Sequence, residues 1–152
     1  MATNGIIYTE RRNYTRFYFS WQVEQQDIPN NRTLIKWQAG VQGQSGITAY
    51  WYSNAVKINS AYIDGGSSIA SGTWSNITLA NGASVELRSG TKWVNHSSDG
   101  TKNFGASISG WLFSNGDLST SGSWSLPTIP RNSQVSTDKT SYTLGEPVQI
   151  IT

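Results

Sequence analysis

The chain has 152 residues, enough for one domain with a proper core, and a net charge of +2; only 13% of residues are charged, so solubility rests on Ser, Thr, Asn, Gln and Gly. Its basic residues cluster only at Arg11, Arg12 and Arg16, which reads as a solvated strand face or a subunit contact and argues against DNA or RNA binding. There is no cysteine for disulfides or thiolate metal sites, no apolar run near the ~18 residues of a membrane span, and no charged-then-apolar signal pattern at residues 1–5.

Period-2 alternation dominates from the start of the legible pattern. Phe17, Phe19, Trp21 and Val23 fall on one face, and Arg16, Tyr18, Ser20, Gln22 and Glu24 on the other, as in a half-buried strand. A loop is expected over residues 25–31, through Pro29-Asn30-Asn31. Ile35, Trp37, Ala39 and Val41 then alternate with Leu34, Lys36, Gln38 and Gly40, which suggests an antiparallel neighbour sharing the same core face. A third β segment is expected over residues 48–59, followed by a break at Gly65-Gly66.

Further along, Ile69, Trp74, Ile77 and Leu79 are spaced by small polar residues, and Asn81-Gly82 signals a tight turn. Val85 and Leu87 open a strand that resumes through Lys92-Trp93-Val94. The most informative stretch runs over 93–131. It reads as two alternating strands joined by the turn Ser97-Ser98-Asp99-Gly100, a turn at Asn115-Gly116-Asp117, and a last strand from Leu118 to Leu126. No segment carries a sustained helical period with caps. Turn signals every ~8–15 residues predict an all-β, antiparallel two-sheet β-sandwich, jelly-roll or immunoglobulin-like in kind.

Pro127 and Pro130 cannot sit in a central ladder, so residues 127–136 are expected to leave the sheet as an extended linker. The β-sandwich domain is then 1–126. Residues 137–152 are strand-like again, and the apolar run Val148 to Ile151 suggests the start of a second β domain within a longer polypeptide. The other reading is a strand donated to a neighbouring subunit or packed on the first domain.

Candidate chemistry is sparse, and no enzyme activity is expected. His96, the single histidine, lies beside a turn where its ring can bond the backbone, and there is no Gly-x-Ser-x-Gly elbow. Asp64, Asp99 and Asp117 each adjoin a glycine or turn, which explains them without a catalytic pair. No cofactor or resident metal is implied. The aromatic residues are the outlier: seven Trp, seven Tyr and four Phe. In Tyr50-Trp51-Tyr52 the two tyrosines project to one face of a strand and Trp51 to the other. One reading makes this an exposed platform for a glycan or a subunit, with Trp111, beside Gly110, as a second candidate. The other buries both faces.

The block 96–104, His-Ser-Ser-Asp-Gly-Thr-Lys-Asn-Phe, followed by 123–131, Ser-Trp-Ser-Leu-Pro-Thr-Ile-Pro-Arg, resembles a module of tailed-bacteriophage structural proteins, typically of phages of Gram-positive hosts. Residues 17–21 and the turn at 30–33 are similar to the opening hairpin of that module, and residues 142–148 to the first strands of immunoglobulin-like repeats that often follow it. The resemblance covers roughly residues 10–131. It implies a virion component of the tail, fibre or neck, localised to the virion and acting in assembly and host-surface attachment. Its partners would be other virion proteins, further copies of itself in a trimer or ring, and host cell-wall glycan, with no nucleic acid and no membrane. It supplies no catalytic or ligand residues. The alternative is a carbohydrate-binding module of a bacterial or phage enzyme that acts on cell walls.

Overall fold

The computed structural model describes residues 1–131. The segment expected to begin a second domain, 137–152, and residues 132–136 of the expected linker lie outside the described residues. Among the described residues no helix is long and apolar enough to cross a membrane.

Among the described residues there are ten strands: β1 (Asn4–Tyr8), β2 (Arg16–Asp27), β3 (Arg32–Gln42), β4 (Ala49–Trp51), β5 (Val56–Ile63), β6 (Gly72–Trp74), β7 (Ile77–Leu79), β8 (Ser84–Asn95), β9 (Asn103–Leu112) and β10 (Gly116–Ser125). One sheet has the order β1-β2-β3-β8, the other β10-β9-β5-β6, and β4 pairs with β7 in a small third sheet. Every pairing is antiparallel.

The expected alternation of β2 and β3 builds one face of the core. Phe17, Phe19, Trp21, Ile35, Trp37, Ala39 and Val41 are all buried. They meet Val56, Ile58, Ala61 and Ile63 of β5, and Phe104, Ala106, Ile108 and Leu112 of β9, in one apolar cluster. The two sheets therefore pack face to face, which is a β-sandwich. Trp21 crosses the layer to Phe104, with ring centroids 4.8 Å apart and edge-on. Phe17 lies directly over Gly110, where any Cβ would collide with its ring.

Several boundaries differ from the sequence pattern, each for a local reason. Strand β1 precedes the first legible alternation; it pairs with β2 from Asn4↔Gln22 to Tyr8↔Tyr18. The residues just ahead of it close one edge of the sandwich, where the Ala2 N–H donates to the Ser125 carbonyl of β10 at 2.7 Å. Strand β2 continues through residues expected as loop, because an irregularity between Val23 and Gln25 keeps it paired with β3 up to Asp27↔Arg32. The single β segment expected over 48–59 is two strands in different sheets, β4 and β5. The Asn81-Gly82 turn is tight, with both residues at positive φ, yet it leads from β7 to β8, which do not pair with each other.

The turn at 97–100 likewise carries the chain from one sheet to the other. The Gly100 N–H donates to Ser97 O at 2.8 Å. Residues 127–131, expected to depart as spacer, instead fold back on this turn. Leu126 and Ile129 are buried, and their N–H groups donate to Lys102 O and Gly100 O, both at 2.9 Å. Gln26 Nε2 donates to Pro127 O at 2.9 Å, and Arg131 Nη1 to Ile28 O at 3.1 Å. Proline ended the ladder but did not release the chain: apolar burial of Leu126 and Ile129 holds it down.

Candidate functional site

The strand registers sort the loops into two groups. Arg16 pairs with Gln42 at one end of the first sheet and Asp27 with Arg32 at the other. In the second sheet Leu112 pairs with Gly116 at the first end and Asn103 with Ser125 at the second. The exit through Arg131 belongs to the second end. The first end gathers the β1–β2 loop, the β4–β5 loop and the β9–β10 turn.

These three loops enclose a cleft of about 500 Å³ lined by Asn13, Tyr50, Trp51, Tyr52, Ser53, Ala55, Phe113 and Ser114. Trp51 is its floor. The side chain is buried, and its Nε1–H donates to the Oγ1 of fully buried Thr15 at 3.0 Å. With Trp51 committed to the core, the period-2 rule sends its neighbours outward. Tyr50 is 45% and Tyr52 71% exposed, and their rings meet edge-on at 4.7 Å. The Tyr50 hydroxyl donates to Asn76 Oδ1 at 3.2 Å, which fixes that ring against β7.

Trp111 points to the outer face of the second sheet and does not line the cleft. It supports the site at one remove, edge-on to Phe113 with centroids 5.8 Å apart. Phe113 is the residue the sequence reading missed. It is 59% exposed and sits in the hairpin turn itself. An aromatic directly ahead of Ser-Asn-Gly, where turn chemistry favours small polar residues, was the available signal.

The cleft is held by bonds between its loops. The Phe113 N–H donates to Ala55 O at 2.9 Å, tying the β9–β10 turn to the β4–β5 loop. Arg12 Nη1 donates to Asn115 O at 3.0 Å, tying the same turn to the β1–β2 loop. The Asn76 N–H reaches Tyr52 O at 3.2 Å, and the Asn54 N–H reaches Ser75 Oγ at 2.9 Å. Left-handed backbone concentrates here: Asn13, Tyr14, Asn54 and Ser114 have φ of 49°, 63°, 54° and 68°. For Tyr14 this is a costly conformation, since a bulky side chain disfavours that region.

The titratable groups weighed from the sequence lie elsewhere. The Nδ1 of His96 is 2.7 Å from Gly100 O, and its Nε2 is 2.6 Å from Thr33 Oγ1. A carbonyl only accepts, so Nδ1 carries the hydrogen, and Nε2 shares a hydrogen bond with the Thr33 hydroxyl. One ring nitrogen thus serves the turn and the other binds β3, with Asp99 and Asp117 bonded to other groups. Asp99 accepts from the Thr101 hydroxyl and N–H, which hold its carboxyl below the ordinary value. Asp117 accepts from Asn59 Nδ2 at 3.0 Å. Asp64 pairs with Lys102 at 2.8 Å.

The three clustered arginines each have a protein partner. Arg11 donates to Gly43 O, Arg12 pairs with Glu10 at 2.7 Å, and Arg16 donates to Gln42 Oε1 while lying 3.6 Å above the Tyr8 ring. Burial, then the neighbouring Arg11 charge, lowers the Arg16 pKa from its ordinary value.

Against known proteins, the family model described as a siphovirus protein of unknown function (DUF859) matches residues 10–152. No curated protein and no solved structure matches the chain. A match over nearly the whole length, on an all-β domain of the kind described above, leads to one conclusion: this chain belongs to that siphovirus family and is a bacteriophage protein.

Proposed function

We propose that this phage protein is a virion structural component of the tail or tail fibre, working in assembly and in attachment to the host surface. In this reading the sandwich is a module of the kind found in phages of Gram-positive hosts. The observation that carries it is the polarity of the domain. The aromatic cleft sits at one end of the sandwich and the docked exit at the other. A module anchored by its exit end presents the cleft outward, at roughly the 33 Å that ten strand residues span. The partners are other virion proteins and further copies of the chain, in a trimer or ring as closed symmetry favours.

The test is location. Immunogold labelling of purified virions, with an antibody raised against the whole chain, should mark the tail or its fibres. Gradient-purified particles that neither label nor yield the protein's peptides by mass spectrometry would sink the reading. They would favour instead a wall-binding module of a lytic enzyme, which the same aromatic cleft supports. Light scattering of the purified protein would test self-association, with a mass of three or more chains expected.

A further inference from the structure

We infer that the cleft of Asn13, Tyr50, Tyr52, Phe113 and Ser114 is a saccharide site that takes a neutral sugar ring, stacked on Tyr52 and Phe113. This deepens the attachment role proposed above and rests on it for its biological setting, though its chemistry comes from the cleft alone.

Three features select that ligand class. The first is size: about 500 Å³ falls within the ~300–1,000 Å³ typical of small-molecule sites. The second is the aromatic surface. Tyr52 and Phe113 remain 71% and 59% exposed although the core is close by, because loop bonds at Phe113 N–H and Tyr52 O hold their backbone outward. An aromatic face carries negative charge density and attracts the polarised C–H bonds along one side of a sugar ring.

The third feature is the absence of charge in the lining. Among the described residues, no carboxylate, ammonium or guanidinium side chain lines the cleft. The guanidinium of Arg12, on the adjoining β1–β2 loop, is engaged by Glu10 and by Asn115 O. An acidic sugar, a phosphate or a charged peptide would enter without a counter-charge and lose its hydration. The polar residues of the lining, Asn13, Ser53, Ser114 and the two tyrosines, carry amide and hydroxyl groups that both donate and accept, as sugar hydroxyls require. The cross-bonded loops add pre-organisation, so little ordering cost is left for binding.

The test uses the full chain, with isothermal titration and saturation-transfer NMR against maltotriose, cellotriose, lactose and N,N′-diacetylchitobiose. Digalacturonic acid and sialyllactose serve as charged controls. At least one neutral saccharide should bind saturably, with transfer from the aromatic protons. Its affinity should fall about tenfold or more in Tyr52→Ala and in Phe113→Ala. It should stay unchanged in Tyr62→Ala, on the outer face of the second sheet. Both cleft side chains are exposed, so circular dichroism should report intact folds.

Failure of every neutral saccharide to bind overturns the inference. So does tighter binding of the acidic controls, or affinity that survives both cleft substitutions. A change in oligomeric state in those variants without loss of sugar binding overturns it too, and marks the cleft as a subunit contact. Virion labelling is read independently: labelled tails without saccharide binding sink the sugar site alone, and binding without labelling sinks the virion location alone.

Discussion

Gly100 is the residue on which the exit end of the domain turns. Its φ is +88°, its N–H closes the turn to Ser97, and its carbonyl accepts from both His96 Nδ1 and the Ile129 N–H. A Cβ there would also press into Ile129 O. Gly100→Ala should therefore cost about 1–3 kcal/mol, read as a lower urea midpoint at unchanged slope. Two carboxylates flank the same end. Asp99 is held low by Thr101, and Asp27 by Asn30 and then Arg32. A group whose folded pKa is depressed contributes fully above its unfolded value, here 3.8, and loses that contribution as pH falls through the lower folded one. Acid titration should thus loosen both turns below about pH 3.8, seen as faster exchange of the Thr101 and Asn30 amides, and Asp99→Asn should flatten the response at Thr101. The turn itself was legible, since Asp-Gly after two serines has few alternatives, and so was the bonding of His96 to it. The partner Thr33 was not, because it lies 63 residues away.

Among the elements, the segment after β10 departs most from its pattern. Two prolines mark where a ladder cannot continue, but they say nothing about where the chain goes next. Leu126 and Ile129 decide that by burying their side chains while their N–H groups bond Lys102 O and Gly100 O. Ile129→Ala should cost about 2–5 kcal/mol, whereas the same change at exposed Ile28 should cost little; parallel urea melts of the two variants check this. Were residues 127–131 a free spacer, the two would be equal. Strands β3, β9 and β10, and β2 as far as Val23, were readable because their alternation is long and unbroken over those residues. Strand β1 is a short edge strand with exposed Ile6 and Tyr8, so its pattern is too brief to see. Along β5 an irregularity between Ile58 and Ser60 slips the side-chain phase, which counting alternate residues cannot register.

At the scale of the whole molecule, the cleft exists only because both sheets send loops to the same end. The run Tyr50-Trp51-Tyr52 left two readings open in the sequence, an exposed platform or two buried faces; Asn13, Phe113 and Ser114 join it through tertiary pairing that spans about a hundred residues. Arg12 is the clasp between two of those loops. Its removal in Arg12→Ala should leave global stability within about 0.5 kcal/mol, as for other exposed side chains, while speeding amide exchange at Phe113 and Asn115. Unchanged exchange there would mean that the Phe113–Ala55 bond alone fixes the turn.

The placement of the exit opposite the cleft also has a mechanical meaning. A pull between something gripped at Phe113 and the chain leaving at Arg131 runs along the strands. The β9–β10 ladder, paired without a break from Gly116↔Leu112 to Ser125↔Asn103, then lies crosswise to the load. Phe113 and Arg131 flank β10 itself, so its already extended backbone carries the tension and the ladder bonds are not peeled apart one after another. A domain hauled in that direction gives way late, and one hauled by two ends of the same hairpin gives way early.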